Sequence, residues 1–563
     1  MRNLKRALSL VMAAAMLIGM MVVSASAADQ YEDFTDKDEI QNTEAVATMV
    51  SLGVFNGKED GSYFDPTGIV TRAEMAKIIA VSLNGGKDPV LGSGAATTQF
   101  SDTKGNWAEA YIAYCANLGI INGKGDGTFG PNEPVTGTAA AKMFLTALGY
   151  RSDIEGLTGA GWDLNTDTLA NKIGLYDGLD HITPSSGLTR DDTAQLVYNG
   201  VQAQEVEYRN NYGEYSGVIY AQDNGTMLAN RFNVLKVTGI AVANEKKTLD
   251  SANYNTTKDG EGRINVTAVS GYTTVPSSLA SNPAFKVSMS DDLLGQEVVL
   301  YVKFLNNLSP NAVNSTVMGY PILTDNNVVV ETTGRLKDTD AVKSALRAEG
   351  IAMPTAGTAD AIQYTSGNVG HAASNGVQAT AGVKQRFIDN DGDGIVELII
   401  QETPALAKVN AINNSGETIT FSSPIGAQDF ADVVGYEDMA KNDYVLIVKY
   451  DDDKYYVTEA ETVEAEVTAY TPGTVPSITA GGEKYVLGAG ANLSDALRTF
   501  DNSLIGNTYT LYLDNHGNIL GHKLVESAVS NYAVVLGASV SGNAAMGYEA
   551  RVKGPAVAAQ GAQ

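Results

Sequence analysis

The sequence of 563 residues predicts a multidomain protein, helical in its first third and all-β in the remainder. Three observations carry that reading. A chain this long exceeds what one hydrophobic core can organise. A set of motifs recurs near the N-terminus with helical spacing inside each copy. From about Val206 the texture changes to alternating Val, Ile, Thr and Tyr broken by Gly, Asn and Asp, which is the pattern of strands and turns.

Composition narrows the classes. A hydrophobic content of 44% argues against wholesale disorder. The net charge of −27 argues against nucleic acid, which is bound by neutralising phosphates, and against anionic membranes. Cys115 is the single cysteine, so no intramolecular disulfide forms; its setting, Tyr114-Cys115-Ala116, reads as a small buried residue on a helix. Residues 1–27 read as a signal peptide. Arg2, Lys5 and Arg6 precede an apolar stretch from Ala7 to Val23, and Ala25-Ser26-Ala27 offers a cleavage site. That stretch falls short of the roughly 20 apolar residues of a spanning helix, and no later segment is apolar enough to cross a bilayer.

The repeat comes in three copies, at 28–85, 98–150 and 151–205. Phe34-Thr35-Asp36 reappears as Phe100-Ser101-Asp102, Leu52-Gly53-Val54-Phe55-Asn56-Gly57 as Leu118-Gly119-Ile120-Ile121-Asn122-Gly123, Phe64-Asp65-Pro66 as Phe129-Gly130-Pro131, and Val70-Thr71 as Val135-Thr136. The third, divergent copy has Trp162, Gly174-Leu175-Tyr176-Asp177-Gly178 and Leu188-Thr189-Arg190. Each copy reads as helix, loop, helix. Gly119 sits where a C-terminal cap belongs, and Pro131 and Pro134 exclude helix before Thr136. Thr71 and Glu74 form a capping box that satisfies two amides at the start of the second helix.

The ordered pattern F-x-D, W, G-x-x-x-G, F-x-P and T-R-A-E resembles the S-layer homology module, with Thr71-Arg72-Ala73-Glu74 its most diagnostic tetrapeptide. The resemblance implies a three-pronged helical bundle whose grooves bind an acidic, often pyruvylated, secondary polysaccharide of the cell wall. It implies a secreted protein of the wall and surface layer. A carboxylate-bearing sugar calls for a bidentate cation and an apolar face. Arg72 and Arg190 are the candidate cations, and Trp107 and Trp162 the candidate faces, with core packing the competing role for Trp107. Copy two departs from the pattern with Thr136-Gly137-Thr138-Ala139, and copy one has Gln41 where copy two has Trp107. One or two working grooves are therefore expected.

Beyond the repeats, small sandwich- or barrel-like β modules are expected at 206–335, 405–465 and 466–530. A mixed segment is expected at 336–404, with a short helix at Asp340 to Glu349, and a partial module with a frayed tail at 531–563. Three similar strands, Leu294 to Val302, Asn442 to Val448 and Ile505 to Leu513, each follow an earlier one: Val234 to Val242, Ala407 to Ile412 and Val463 to Tyr470.

One segment has metal chemistry. Asp389, Asp391, Asp393 and Glu397 occupy positions 1, 3, 5 and 9 of a loop with Gly394 at position 6 and Ile395 at position 7, the pattern of a calcium loop set in a β-hairpin. Ile400 stands where an EF-hand would have its bidentate Glu. The alternative is a solvated acidic turn. Asp451-Asp452-Asp453 lacks the glycine and the spacing and reads as a turn. His181, His371, His516 and His522 are scattered, and no nucleophile elbow, H-E-x-x-H or phosphate loop is present. A non-enzymatic surface protein that assembles into a lattice is the expectation. An adhesin or carbohydrate-binding protein and a wall-active hydrolase are the alternatives.

Overall fold

In a computed structural model, each repeat copy is built on two main helices joined by a loop, with one further short helix at the start of copy one. Copy one has α1 (Asp29–Glu32), α2 (Thr43–Ser51) and α3 (Arg72–Leu83). Copy two has α4 (Glu109–Asn117) and α5 (Gly137–Ala147), and copy three α6 (Trp162–Lys172) and α7 (Arg190–Gln202). The structure describes residues 29–58, 61–89, 99–210, 219–249, 256–332, 338–354, 362–365, 368–370, 377, 379–450, 454–473, 475–491, 499–526, 537–543 and 547–553. The expected signal peptide, the turn at 451–453, His371 and the frayed tail lie outside them. Among the described residues no helix is long and apolar enough to cross a membrane.

The first helix of every copy stops in the same way. Gly53, Gly119 and Gly174 adopt φ of 75°, 73° and 74°, where a side chain is strained. The amide after each glycine reaches back into the helix: Val54 to Met49 O at 3.0 Å, Ile120 to Cys115 O at 2.9 Å, Leu175 to Ala170 O at 2.8 Å. The second helices start alike. Thr71, Thr136 and Thr189 each accept a backbone N–H three residues on, and only copy one completes the capping box with Glu74.

What joins the copies is a closed ring of backbone hydrogen bonds. Val70 N donates to Leu188 O (3.0 Å), Leu188 N to Val135 O (3.0 Å), and Val135 N to Val70 O (2.9 Å). Around that ring each second helix is capped by another copy's loop. Arg72 and Ala73 donate to Glu133 O and Pro131 O, Gly137 and Thr138 to Ser186 O and Pro184 O, and Arg190 and Asp191 to Gly68 O and Pro66 O, all within 2.8–3.1 Å. The amides that a helix start leaves unpaired are thus satisfied between copies. Cys115 is fully buried, its Sγ 3.5 Å from Ala76 O.

After α7 come a two-stranded ribbon (Gln204–Asn210, Ile219–Thr226), α8 (Met227–Phe232) and a five-stranded sheet. The sheet runs Ala284–Phe285, Gly262–Val269, Val234–Ala243, Glu297–Phe304, Ser315–Leu323 in spatial order. It is not a free-standing module. Phe232, Val234, Val299, Tyr301 and Met318 belong to the same apolar core as Met49, Phe144 and Val197 of the helical copies. Gly319 N donates to Ser51 Oγ at 3.1 Å, and the Tyr301 hydroxyl lies 2.6 Å from that of Tyr198. The chain divides into two compact units, residues 1–329 with 388–398, and 330–387 with 399–563. The helical copies and the first sheet fall in one unit.

The second unit holds α9 (Thr339–Ala348) and further sheets. One has six strands in the order Ala427–Asp429, Thr418–Phe421, Ala405–Asn413, Tyr444–Lys449, Tyr455–Glu459, Val433–Val434. Another has five: Glu483–Val486, Ser477–Ala480, Glu461–Thr471, Thr508–Leu513, Ile519–Glu526. Tyr444 and Tyr512 stack between them at 4.1 Å. The strand similarity in the sequence has a structural counterpart. In three of the sheets the recurring strand pairs antiparallel with the earlier one: 297–303 with 234–240, 444–447 with 405–408, and 508–513 with 461–466. A hairpin, Gly537–Asn543 with Gly547–Lys553, follows.

Candidate functional site

The F-x-D aspartates build the loops on which the arginines rest. Asp36 accepts the amides of Phe64 (2.8 Å) and Asp65 (2.7 Å), and Asp102 those of Phe129 (2.9 Å) and Gly130 (2.7 Å). Burial alone would raise the Asp102 carboxyl, but these N–H donors outweigh it and hold it below its ordinary value.

Each arginine, first residue of its helix, crosses onto the phenylalanine of a neighbouring copy's loop. The Arg72 guanidinium lies 4.5 Å from the Phe129 ring centre, and its Nε donates to Phe129 O at 2.8 Å. Arg190 lies 4.9 Å from Phe64 and 5.3 Å from Phe55 and donates to Asn56 O at 2.6 Å. Both are half-buried, and burial pulls both below their ordinary pKa against the opposing pull of nearby carboxylates. Part of each arginine is therefore structural; stacking of this kind contributes about 0.5–2 kcal/mol.

A lysine that sequence reasoning passed over completes each groove. Lys142 on α5 holds its Nζ 4.9 Å from the half-buried Trp162 ring. Its pKa is lowered, first by burial and then by the Arg72 charge, so copies one, two and three contribute Arg72, Lys142 and Trp162 to one place. Lys77 on α3 is its counterpart, with Nζ 5.7 Å from Tyr111, whose hydroxyl donates to Asp88 at 2.8 Å. Trp107 meets Tyr111 edge-on at 6.4 Å. Lys77 and Asn56 line one small surface pocket, and Asn56 is the residue that Arg190 holds. Trp107 is 59% exposed, which rules out the core role weighed for it. Lys77 and Lys142 each stand six residues after their capping threonine, so aligning the copies beyond the T-R-A-E motif was the signal that could have found them.

The third equivalent place is different in kind. Copy two has Gly137 where the others have arginine, copy three has Gln195 where the others have lysine, and copy one has Gln41 in place of Trp107. A Cβ on Gly137 would sit 3.1 Å from Pro184, so the loop of copy three fills the space.

Within copies one and two, residues 33–76 and 99–141 match the sequence model of the S-layer homology domain. The chain carries two S-layer homology domains. Its relatives include a cell surface protein of Thermoanaerobacter kivui, 28% identical over 209 residues (37% of this chain, 26% of that one). They also include an S-layer protein of Bacillus licheniformis, 28% identical over 202 residues (34% and 22%). A Bacillus anthracis protein named as an uncharacterized cell wall amidase is 27% identical over 208 residues (35% and 37%). The matches thus span 22–37% of these relatives' lengths. The chain is a protein of the cell surface and wall.

The acidic loop lies apart from the grooves, in the turn between strands Lys384–Asp389 and Leu398–Glu402. Oxygens of Asp389, Asp391, Asp393 and Glu397 all fall within 4.8 Å of one another. Asp389 is buried and accepts from Gly392 and Gly394 amides at 2.8 Å each, which curls the loop around it. Glu397 is pushed up to about 7, first by burial and also by its three aspartate neighbours. Four hard oxygen donors converging at this range suit calcium, and Ile395 occupies the position that offers a backbone carbonyl. His181 is within 2.8 Å of Asp192 Oδ1, and His522 within 2.9 Å of Thr499 O.

Proposed function

We propose that the grooves at Arg72 and Arg190 seat an acidic, often pyruvylated, secondary cell-wall polysaccharide, anchoring the chain non-covalently, while the β-rich remainder forms or decorates a surface lattice. The observation that carries this reading is the same arginine, lysine and aromatic set assembled twice from three copies. The chemistry fits the ligand class. A half-buried guanidinium has already lost part of its hydration and is best compensated by a carboxylate, which it meets with two parallel hydrogen bonds. The lysine adds a second positive charge, and the indole, exposed in Trp107 and half-buried in Trp162, offers a flat face to a sugar ring. The role is structural rather than enzymatic, so incubating the protein with walls should release neither reducing sugar nor muropeptides.

The test is retention of the full chain on purified cell walls, with and without the secondary polymer removed. Retention should vanish on stripped walls, and fall in Arg72→Ala, Lys142→Ala and Arg190→Ala but not in Gln195→Ala. Equal retention on stripped walls would overturn the anchoring reading.

A second reading is favoured by the converging oxygens of the acidic hairpin. Asp389, Asp391, Asp393 and Glu397, with the Ile395 carbonyl, would hold a calcium ion whose charge offsets their mutual repulsion. Calorimetric titration of the full chain with calcium should show one site that is lost in Asp391→Asn/Asp393→Asn; an unchanged titration would refute it.

A further inference from the structure

The first β-sheet ends in a loop with exposed apolar side chains. Between strands Glu297–Phe304 and Ser315–Leu323, the side chains of Leu305, Leu308 and Val313 are 82%, 91% and 73% exposed. Apolar groups this exposed and this close together mark interaction sites. We propose that this loop is a self-contact, by which one copy of the chain meets the same loop of a second copy.

The loop is built to hold its shape. Asn233 Nδ2 donates to Phe304 O at 2.6 Å, Ser278 Oγ donates to Pro310 O at 2.5 Å, and Tyr272 donates to Asn307 O. Asn306 and Asn311 each accept the amide two residues on, at 2.9 and 3.0 Å. The leucines are therefore presented on a fixed frame, and little ordering is left for the contact to impose.

Charge identifies the occupant. The chain carries −27, so two copies repel over most of their surfaces. No charged residue occurs from Phe304 to Thr324, nor from Ile264 to Phe285, the segment that supplies Tyr272 and Ser278. A cationic partner would be recognised by carboxylates, and this end of the sheet offers none from either stretch. An acidic second copy is the partner for which an uncharged tip removes the main obstacle. Three side chains cover far less than the roughly 800 Å² per partner of a standard interface, so the contact is weak in free solution. It becomes populated when copies are crowded on one surface. The inference thus rests on the surface-lattice reading and names one of its contacts.

The test exploits Cys115, which is buried and whose thiol is pushed up to about 12 by that burial. Ser309→Cys then places the reactive thiol on the tip with its leucines intact, and Glu464→Cys gives an exposed control on strand Glu461–Thr471. With wall-bound full-length protein and a short bis-maleimide, Ser309→Cys should form crosslinked dimers faster than Glu464→Cys. Adding Leu305→Ser and Leu308→Ser should slow it at least about tenfold, because the leucines' apolar area no longer drives the contact. Equal rates for the two single cysteines, or no effect of the serines, would overturn the proposal. Electron microscopy of the assembled protein separates the readings. Arrays that persist in Leu305→Ser/Leu308→Ser leave the lattice standing and remove this contact, whereas no arrays in the unaltered chain remove both.

Discussion

Tyr301 offers a direct test of whether the helical copies and the first sheet form one cooperative body. It lies on strand Glu297–Phe304, is 1% exposed, and its hydroxyl donates to Gln202 Oε1 at 2.7 Å while meeting the Tyr198 hydroxyl at 2.6 Å. Tyr198 in turn donates to Glu44, whose carboxyl is raised above its ordinary value chiefly by burial. Tyr301→Phe keeps the ring and its edge-on contact with Tyr198 (5.8 Å, 82°) but leaves Gln202 Oε1 without that donor. An orphaned buried polar group costs about 1–3 kcal/mol. Tyr301→Ala adds the loss of the ring, for a total of about 3–5 kcal/mol. The assay is urea unfolding followed by tryptophan fluorescence. The chain has two tryptophans, Trp107 and Trp162, both in the helical copies, so the signal reports the helices while the substitution is made on a strand of the sheet. The tryptophan transition should lose stability by these amounts. The double variant Tyr198→Phe/Tyr301→Phe should cost less than the sum of its parts, because it removes both ends of one network. A tryptophan transition unmoved by Tyr301→Ala, with loss of amide protection confined to strand 297–304, would refute the shared core.

Other outcomes follow from the same geometry. Gly137→Arg should not create a third binding groove: it should lower stability by about 1–3 kcal/mol through overpacking against Pro184 and leave wall retention unchanged, and a rise in retention would contradict the assignment. Asp102 is held below its ordinary pKa in the folded state, so its stabilisation is present above the unfolded value and is lost as pH falls through the folded one. Protection of the Phe129 and Gly130 amides from exchange should therefore drop on the acid side of pH 4, and Asp102→Asn should flatten that dependence. Arg72→Lys keeps the charge but loses the planar stack on Phe129 and the Nε hydrogen bond, so wall retention should fall and lysine should not rescue it.

The local devices were legible because their chemistry is local. Thr71 and Glu74 are three residues apart, and the capping box they imply forms as expected. The acidic hairpin is likewise contiguous, so its aspartates converge for reasons that spacing alone supplies. The recurring strands were recognised as similar, and their antiparallel pairing with the earlier strands follows from the same alternation of apolar residues. Trp107 was ambiguous because a tryptophan's burial depends on what packs over it, and here it stays 59% exposed.

By itself the sequence determined that helical S-layer homology repeats precede β-sheets, where the helices begin and end, and which arginines are candidates for an acidic polymer. These rest on period, capping and turn chemistry within a few residues. Tertiary structure alone decided that Arg72 lies near Lys142 and Lys142 against Trp162, each from a different copy, that a ring through Val70, Val135 and Leu188 ties the copies together, and that the core of the helices continues into the first sheet. The physical reason is range. A backbone ring among residues tens of positions apart and a core shared between helix and strand arise only when distant segments close on one another, and the pattern along one segment does not record which partner it meets.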